Sequence, residues 1–165
     1  MSLSALTIAA WVAVQVLASR PGELVLASDG PPAPIVEFTT LDGRDVRTGS
    51  PGGAPLVLVF VSTWCPSCAA EAAAWNAALA ANPAVRVFII DIDPLDTPES
   101  LAGFRDDYGL RNLRFVLDAD QALARGFGFP GMDATIALSA DGRIVYTDQG
   151  PTSGATIDAL IAALR

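Results

Sequence analysis

The 165-residue chain contains no histidine and no lysine; its ten cations are all arginine, set against 18 acidic residues. Without histidine it lacks the commonest general base, the commonest metal ligand and the usual Ser/His and Cys/His nucleophile pairs, so hydrolase chemistry loses most of its support. The formal charge of −8 excludes the clustered basic footprint that a phosphate backbone requires, and no nucleic acid partner is expected. Cysteine is equally scarce. The only two, Cys65 and Cys68, stand too close together to staple distant loops as disulfide-framework domains do. Two sulfurs with no imidazole also fall short of a closed four-ligand zinc site, so no metal and no cofactor are expected. Charge is low at 17% and apolar content high at 52%, which argues against disorder and for one packed core.

Long apolar runs are missing too. Ala5 to Ala18 covers 14 residues, is interrupted by Thr7 and Gln15, and is short for a membrane span. It suits a signal-peptide core or a marginal anchor, with small residues at Ala18 and Ala27 before candidate cuts, although no cation precedes it and Arg20 follows it. The alternative is a helix packed on a cytoplasmic domain. The expected organisation is an apolar signal- or anchor-like segment and linker over 1–33, then a domain over 34–165 placed outside the cytoplasm or tethered to the membrane.

What is present alternates between strand and helix patterns. Ile35–Thr39 and Arg44–Thr48 flank a Gly-containing turn and predict a short opening hairpin. Leu56–Val61 is a continuous apolar run, expected of a strand buried on both faces. An Ala-rich helix is predicted from Pro66 to Ala81, then a strand at Val85–Ile90. Thr97-Pro98-Glu99 predicts a capped helix start, with Leu101, Phe104 and Tyr108 on one apolar face. A strand at Leu113–Leu117, a short helix at Asp120–Phe127, a hairpin from Thr135–Leu138 and Arg143–Thr147 about Asp141-Gly142, and a closing helix with Ile157, Leu160, Ile161 and Leu164 complete the chain. This order implies a mixed α/β sheet sandwiched by helices, the thioredoxin arrangement. Asp91, Asp93 and Asp96 fit no complete calcium loop and read as a solvated strand end before a helix cap.

Chemistry concentrates at Cys65-Pro66-Ser67-Cys68. Cys65 ends a strand connection, and Pro66 suits the first helical position, so the Cys65 sulfur is expected at a helix N-cap. Free backbone N–H groups and the positive helix end stabilise a thiolate there, the species that attacks a disulfide. Cys68 returns to the same face one turn on and can close a disulfide with Cys65. Cys65 is therefore the expected nucleophile and Cys68 the resolving thiol.

Val61-Ser-Thr-Trp-Cys-Pro-Ser-Cys-Ala-Ala-Glu71 resembles the active-site segment of the TlpA/ResA-like thiol-disulfide oxidoreductases. The opening hairpin, Phe115–Asp120, Gly126-Phe-Gly128 and the Asp141–Val145 turn are also similar to that family. The resemblance implies a thioredoxin-like fold and exchange with a protein thiol or disulfide, supported by an upstream electron donor and in many members by an N-terminal membrane tether. It further implies that Trp64 lies beside the attacked sulfur and that Glu71 tunes the thiols; their plainer readings are a core aromatic and a solvated helix-face acid. Nothing between the cysteines over-stabilises the thiolate, which favours a reductant over a strong oxidant.

The sequence departs from the pattern twice. Thioredoxins proper carry a buried Asp six residues before the first cysteine, where this chain has Val59. The family's cis-proline before the hairpin strand aligns with Asp133, and Pro130 stands three residues earlier. Either Phe129-Pro130 supplies the cis bond, or the substrate-docking edge is rebuilt around Met132 and Asp133. That loop partly resembles Sco-type copper chaperones, though without their histidine, so a Cu(I) carrier using Cys65, Cys68 and Met132 stands as the alternative. A peroxiredoxin-like peroxidase fits less well, lacking the activating Arg and Thr pattern.

Overall fold

The computed structural model describes residues 30–51, 53–128 and 130–165. The export or anchor run expected at residues 5–18, like the Phe129–Pro130 bond, lies outside the described residues. Every peptide bond among the described residues is trans.

The apolar run becomes the central strand. β3 (Leu56–Val61) is buried along its whole length, because it has neighbours on both edges and helices or hairpin over both faces. It pairs in parallel with β4 (Arg86–Asp91), which pairs in parallel with β5 (Arg114–Leu117). On its other edge β3 pairs antiparallel with β6 (Ala134–Leu138), followed by β7 (Ile144–Thr147), giving the order β5-β4-β3-β6-β7. Between the parallel strands run α1 (Pro66–Leu79) and α2 (Pro98–Asp107). A right-handed crossover places successive helices on one side of a sheet, and both pack on the layer built from Val57, Val59, Val87 and Ile89, joined there by α4 (Gly154–Ala163). The opposite layer, with Leu58, Phe60, Phe88 and Ile90, is covered by α3 (Ala122–Gly126) and by the hairpin of β1 (Glu37–Thr39) and β2 (Asp45–Arg47). Phe38 of the hairpin meets Phe88 edge-on at 5.3 Å. Each fully buried Leu or Ile here contributes about 1.5–3 kcal/mol, so the two layers hold the sheet from both sides.

Three expectations need correction. Tyr108 packs its ring 5.2 Å from Phe104 yet is more than half exposed, because the helix ends before its turn comes under the sheet. The segment read as a linker over 28–34 is docked in its described part: Ile144 N–H donates to Pro31 O and Ala33 N–H to Gly142 O, leaving Ala33 buried. Gly49 and Gly142 permit this. Both have positive φ, and a Cβ on Gly142 would stand 2.7 Å from the Gly49 backbone. Finally, Asp91 is not solvated but wholly buried at the end of β4.

The register positions the site. Antiparallel pairing of Phe60 with Ala134 brings the loop before β6 to the carboxyl end of β3, where α1 begins. Two segments almost 70 residues apart therefore meet at that sheet edge, the usual place for chemistry in an open α/β sheet.

Candidate active site

Cys65 is the N-cap of α1, with an extended backbone (φ −89°, ψ 113°) and Pro66 at the first helical position. Its Sγ accepts the Cys68 N–H at 3.3 Å, using one of the donors that a helix start leaves free. Cys65 and Cys68 are joined in a disulfide, their Cα atoms 5.3 Å apart. Cys65 retains 6% exposure and Cys68 none, so only the Cys65 sulfur offers an approach. Ser67, exposed between them, holds its Oγ 3.3 Å from the Cys65 sulfur.

Asp133 faces this pair from the other side. Its backbone is left-handed (φ 59°), a conformation that Asp and Asn tolerate better than most residues. It is held there at both ends: its N–H donates to Phe60 O at 2.8 Å, and its C=O accepts from Gly150 N–H at 3.0 Å. Its Oδ2 accepts from Ser67 Oγ at 2.6 Å, and its Oδ1 lies 4.0 Å from the Cys65 sulfur. The edge is thus built around a carboxylate where the family pattern has proline. Met132 beside it is 41% exposed.

Glu71 lies one turn after Cys68 on the buried face of α1. Its Oε1 accepts from Thr135 Oγ1 at 2.9 Å and from Trp75 Nε1 at 3.3 Å, whereas its Oε2 is buried with no partner. Burial pushes its carboxyl above the usual range, against the hydrogen bonds that neighbouring groups such as Thr135 and Trp75 donate to it. The plain reading of Glu71 as a solvated acid is therefore wrong. Thr152 Oγ1 stands 2.9 Å from Thr135 Oγ1 and 2.9 Å from Asp148 Oδ2, which also accepts from Tyr146 OH, so the polar chain behind the cysteines reaches the surface.

Trp64 is 63% exposed beside Cys65, not a core aromatic, and its Nε1 donates to Asp93 Oδ2 at 2.5 Å. That hydrogen bond is the leading cause holding the Asp93 carboxyl below its ordinary value. Thr63 bonds Asp96 through its N–H and its hydroxyl. Of the acidic triplet read as a solvated strand end, Asp93 and Asp96 therefore clamp the segment that presents Trp64 and Cys65. Its buried member, Asp91, has an unpartnered Oδ2 and a carboxyl raised to about 7, chiefly by desolvation and secondarily by Asp96 and Asp93. It pairs with Val61 of β3, two residues beyond Val59, on the face that α1 and α2 cover.

A family model described as redoxin matches residues 28–164. The chain belongs to the redoxin family. It is 33% identical to the soluble secreted antigen MPT53 of Mycobacterium tuberculosis over 129 residues, 76% of this chain and 72% of the relative. It is 26% identical to thiol-disulfide oxidoreductase ResA of Bacillus anthracis over 116 residues, 70% of this chain and 66% of the relative. The crystal structure of a secreted M. tuberculosis disulfide oxidoreductase homologous to E. coli DsbE superposes with a TM-score of 0.68 at 30% identity, covering 78% of this chain and 96% of that one. The TlpA/ResA-like resemblance read from the Trp-Cys-x-x-Cys segment is thereby borne out, and so is the thioredoxin-like fold. Within this redoxin the residues that sequence reasoning missed are Ser67, Asp93, Asp96 and Thr135. Each acts through a partner distant in sequence, Ser67 through Asp133, Asp93 through Trp64, Asp96 through Thr63 and Thr135 through Glu71, and nothing in the residues beside it names that partner.

Proposed function

We propose that this chain is an extracytoplasmic thiol-disulfide oxidoreductase that reduces protein disulfides, with Cys65 attacking and Cys68 resolving. The observation that carries the reading is the asymmetry of the pair: a capped, accessible sulfur at Cys65 and a sealed one at Cys68, in a chain similar to ResA and to a secreted disulfide oxidoreductase. Thiolate Cys65 attacks one sulfur of the substrate disulfide, and the other substrate sulfur leaves as a thiolate. Cys68 thiolate then attacks Cys65 in the mixed disulfide, forming the Cys65–Cys68 bond and freeing the second substrate thiolate. Two electrons pass from the dithiol to the substrate, and an upstream donor restores them.

Trp64 and Met132 form the apolar rim against which a substrate segment lies, Pro66 fixes the helix start, Glu71 supports proton handling behind Cys68, and Asp133 borders the docking edge. Secretion of the similar proteins supports placement outside the cytoplasm, with the apolar run 5–18 as the export or anchoring element. Among the described residues no helix is long and apolar enough to cross a membrane. The activity test is insulin reduction by the dithiol form: turnover by the parent that is lost in Cys65→Ser supports the reading, and equal turnover in that variant overturns it. A reporter fused after Arg165 tests placement, with activity inside the cytoplasm as the contrary result. Copper titration of the reduced protein separates the Cu(I)-carrier alternative, which draws on Cys65, Cys68 and Met132.

A further inference from the structure

Three donor groups converge at the mouth of the site: the sulfurs of Cys65 and Cys68 and a carboxylate oxygen of Asp133 all lie within 4.8 Å of one another. We propose that the dithiol form of this protein binds one Zn²⁺ through Cys65, Cys68 and Asp133, with water in the fourth position, and that the ion holds the pair reduced and blocks exchange. The inference rests on the cysteines cycling to thiols, and goes beyond that cycle.

Tetrahedral zinc takes Zn–S bonds of about 2.3 Å and Zn–O bonds of about 2.0–2.2 Å, which sets neighbouring ligand atoms roughly 3.5–3.8 Å apart. Cys65 Sγ and Asp133 Oδ1 stand 4.0 Å apart, so a small side-chain rotation closes that edge. The sulfurs are bonded to each other here, and reduction releases them to separate to the ligand spacing. The two-residue gap between the cysteines is itself a zinc-ligand spacing, and the Cys68 N–H already points at the Cys65 sulfur, where it would stabilise a metal-bound thiolate.

The carboxylate is oriented in advance. Ser67 donates to Asp133 Oδ2, which leaves Oδ1 as the oxygen turned toward the sulfurs; a second-layer hydrogen bond of this kind commonly fixes a ligand. Entry is from the side of exposed Ser67 and half-buried Asp133. The donor set also selects the metal: Zn²⁺ takes a carboxylate oxygen alongside thiolates, whereas Cu(I) is selected by soft sulfur donors alone. Two thiols lose their protons, so the thiolate pair, the carboxylate and Zn²⁺ leave a net charge of −1 at the site. The disulfide form offers no thiolate and cannot hold the ion. Zinc binding and disulfide formation are therefore mutually exclusive.

The test is titration of ZnCl₂ into the reduced full chain by calorimetry in two buffers of different ionisation enthalpy, with Co²⁺ absorption as a second readout. Expected are one Zn²⁺ per chain, release of close to two protons well below the thiol range and fewer as the pH enters it, a thiolate-to-Co²⁺ charge-transfer band, and no comparable binding by the oxidised chain. Asp133→Asn keeps the left-handed backbone and should weaken binding by about 100-fold, and Ser67→Ala by about 10-fold. The urea unfolding midpoint of each variant in its disulfide form reports that the fold is intact. Zinc binding by the oxidised chain as tight as by the reduced one, an unchanged affinity in Asp133→Asn, or no binding at micromolar zinc overturns the proposal. Insulin reduction in the presence of a chelator tests the oxidoreductase reading separately, so the two can fail independently.

Discussion

Ser67 Oγ donates to Asp133 Oδ2 at 2.6 Å, so the residue between the two cysteines is tied to the strand edge across from them. The same carboxylate reaches to 4.0 Å of the Cys65 sulfur. A negative charge is thereby fixed beside the atom that must itself become negative.

Removing that charge should quicken attack. Asp133→Asn keeps the size and the left-handed backbone and deletes the like-charge repulsion, raising the thiolate fraction of Cys65 at pH 7 by roughly tenfold. The more stable thiolate is also a weaker nucleophile, with a Brønsted slope of about 0.4–0.5, so the net gain in exchange rate is about threefold. Proline, the family residue, is the wrong probe. Its φ is locked near −65°, whereas Asp133 sits at 59° and donates its N–H to Phe60 O, so Asp133→Pro should lower stability and distort the edge. Stopped-flow insulin reduction and thiolate absorbance against pH check the first outcome, and urea unfolding checks the second.

The exposure of the two sulfurs predicts their order of reaction. Alkylation of the reduced chain should label Cys65 at least roughly tenfold faster than Cys68, since thiolate character and access both favour it. Cys68→Ser should accumulate mixed disulfides with a model substrate and Cys65→Ser should not. Mass mapping of quenched samples reads both, and faster labelling of Cys68 reverses the assignment.

Glu71 holds Trp75 in place behind the site. In Glu71→Ala the Trp75 Nε1 and the Thr135 hydroxyl both lose the oxygen they donate to inside the core, so the expected loss is about 1–3 kcal/mol for each buried donor left unpaired. Glu71→Gln keeps the accepting oxygen and should lose less. Urea unfolding at pH 7 distinguishes the two variants.

Asp91 makes stability depend on pH in a direction opposite to ordinary acid denaturation. Its carboxyl is raised from 3.8 to about 7, so the folded state binds the proton more tightly than the unfolded chain. Its contribution is full below the unfolded value and is lost as pH rises from about 4 to about 7, a fall on the order of a few kcal/mol. Glu71, raised by burial, adds a smaller fall of the same sign. Asp91→Asn should flatten most of the slope between pH 4.5 and 7.5. An unchanged slope in urea midpoints across that range would show that Asp91 ionises freely.

Much of the fold was legible because its strongest signals are local. The apolar run Leu56–Val61 has the same limits in sequence and structure, since a strand buried on both faces carries no polar residue. The start of α2 was equally clear: Thr97 accepts the Ser100 N–H and Ser100 returns the bond, a reciprocal cap that the Thr-Pro-Glu pattern announces in part. Strand ends elsewhere shifted by one or two residues because a ladder stops where its partner stops. The opening hairpin pairs only over Glu37–Thr39 and Asp45–Arg47, inside the longer runs expected.

The sequence by itself determined the thioredoxin-like order of elements, the cysteine pair at a helix start, and the exclusion of histidine chemistry, because composition and short spacing decide each of these. Only the tertiary structure decided the environment of the acids. Whether an aspartate is solvated, clamping or buried depends on what lies across the sheet, and neither Asp91 within β4 nor Asp133 before β6 carries that information in its neighbours along the chain. The antiparallel register of β6 on β3 places Asp133 against Ser67 and Cys65, and the parallel neighbours of β4 seal Asp91 from water. Long-range pairing sets the charge around the sulfur, and with it the chemistry that the pair performs.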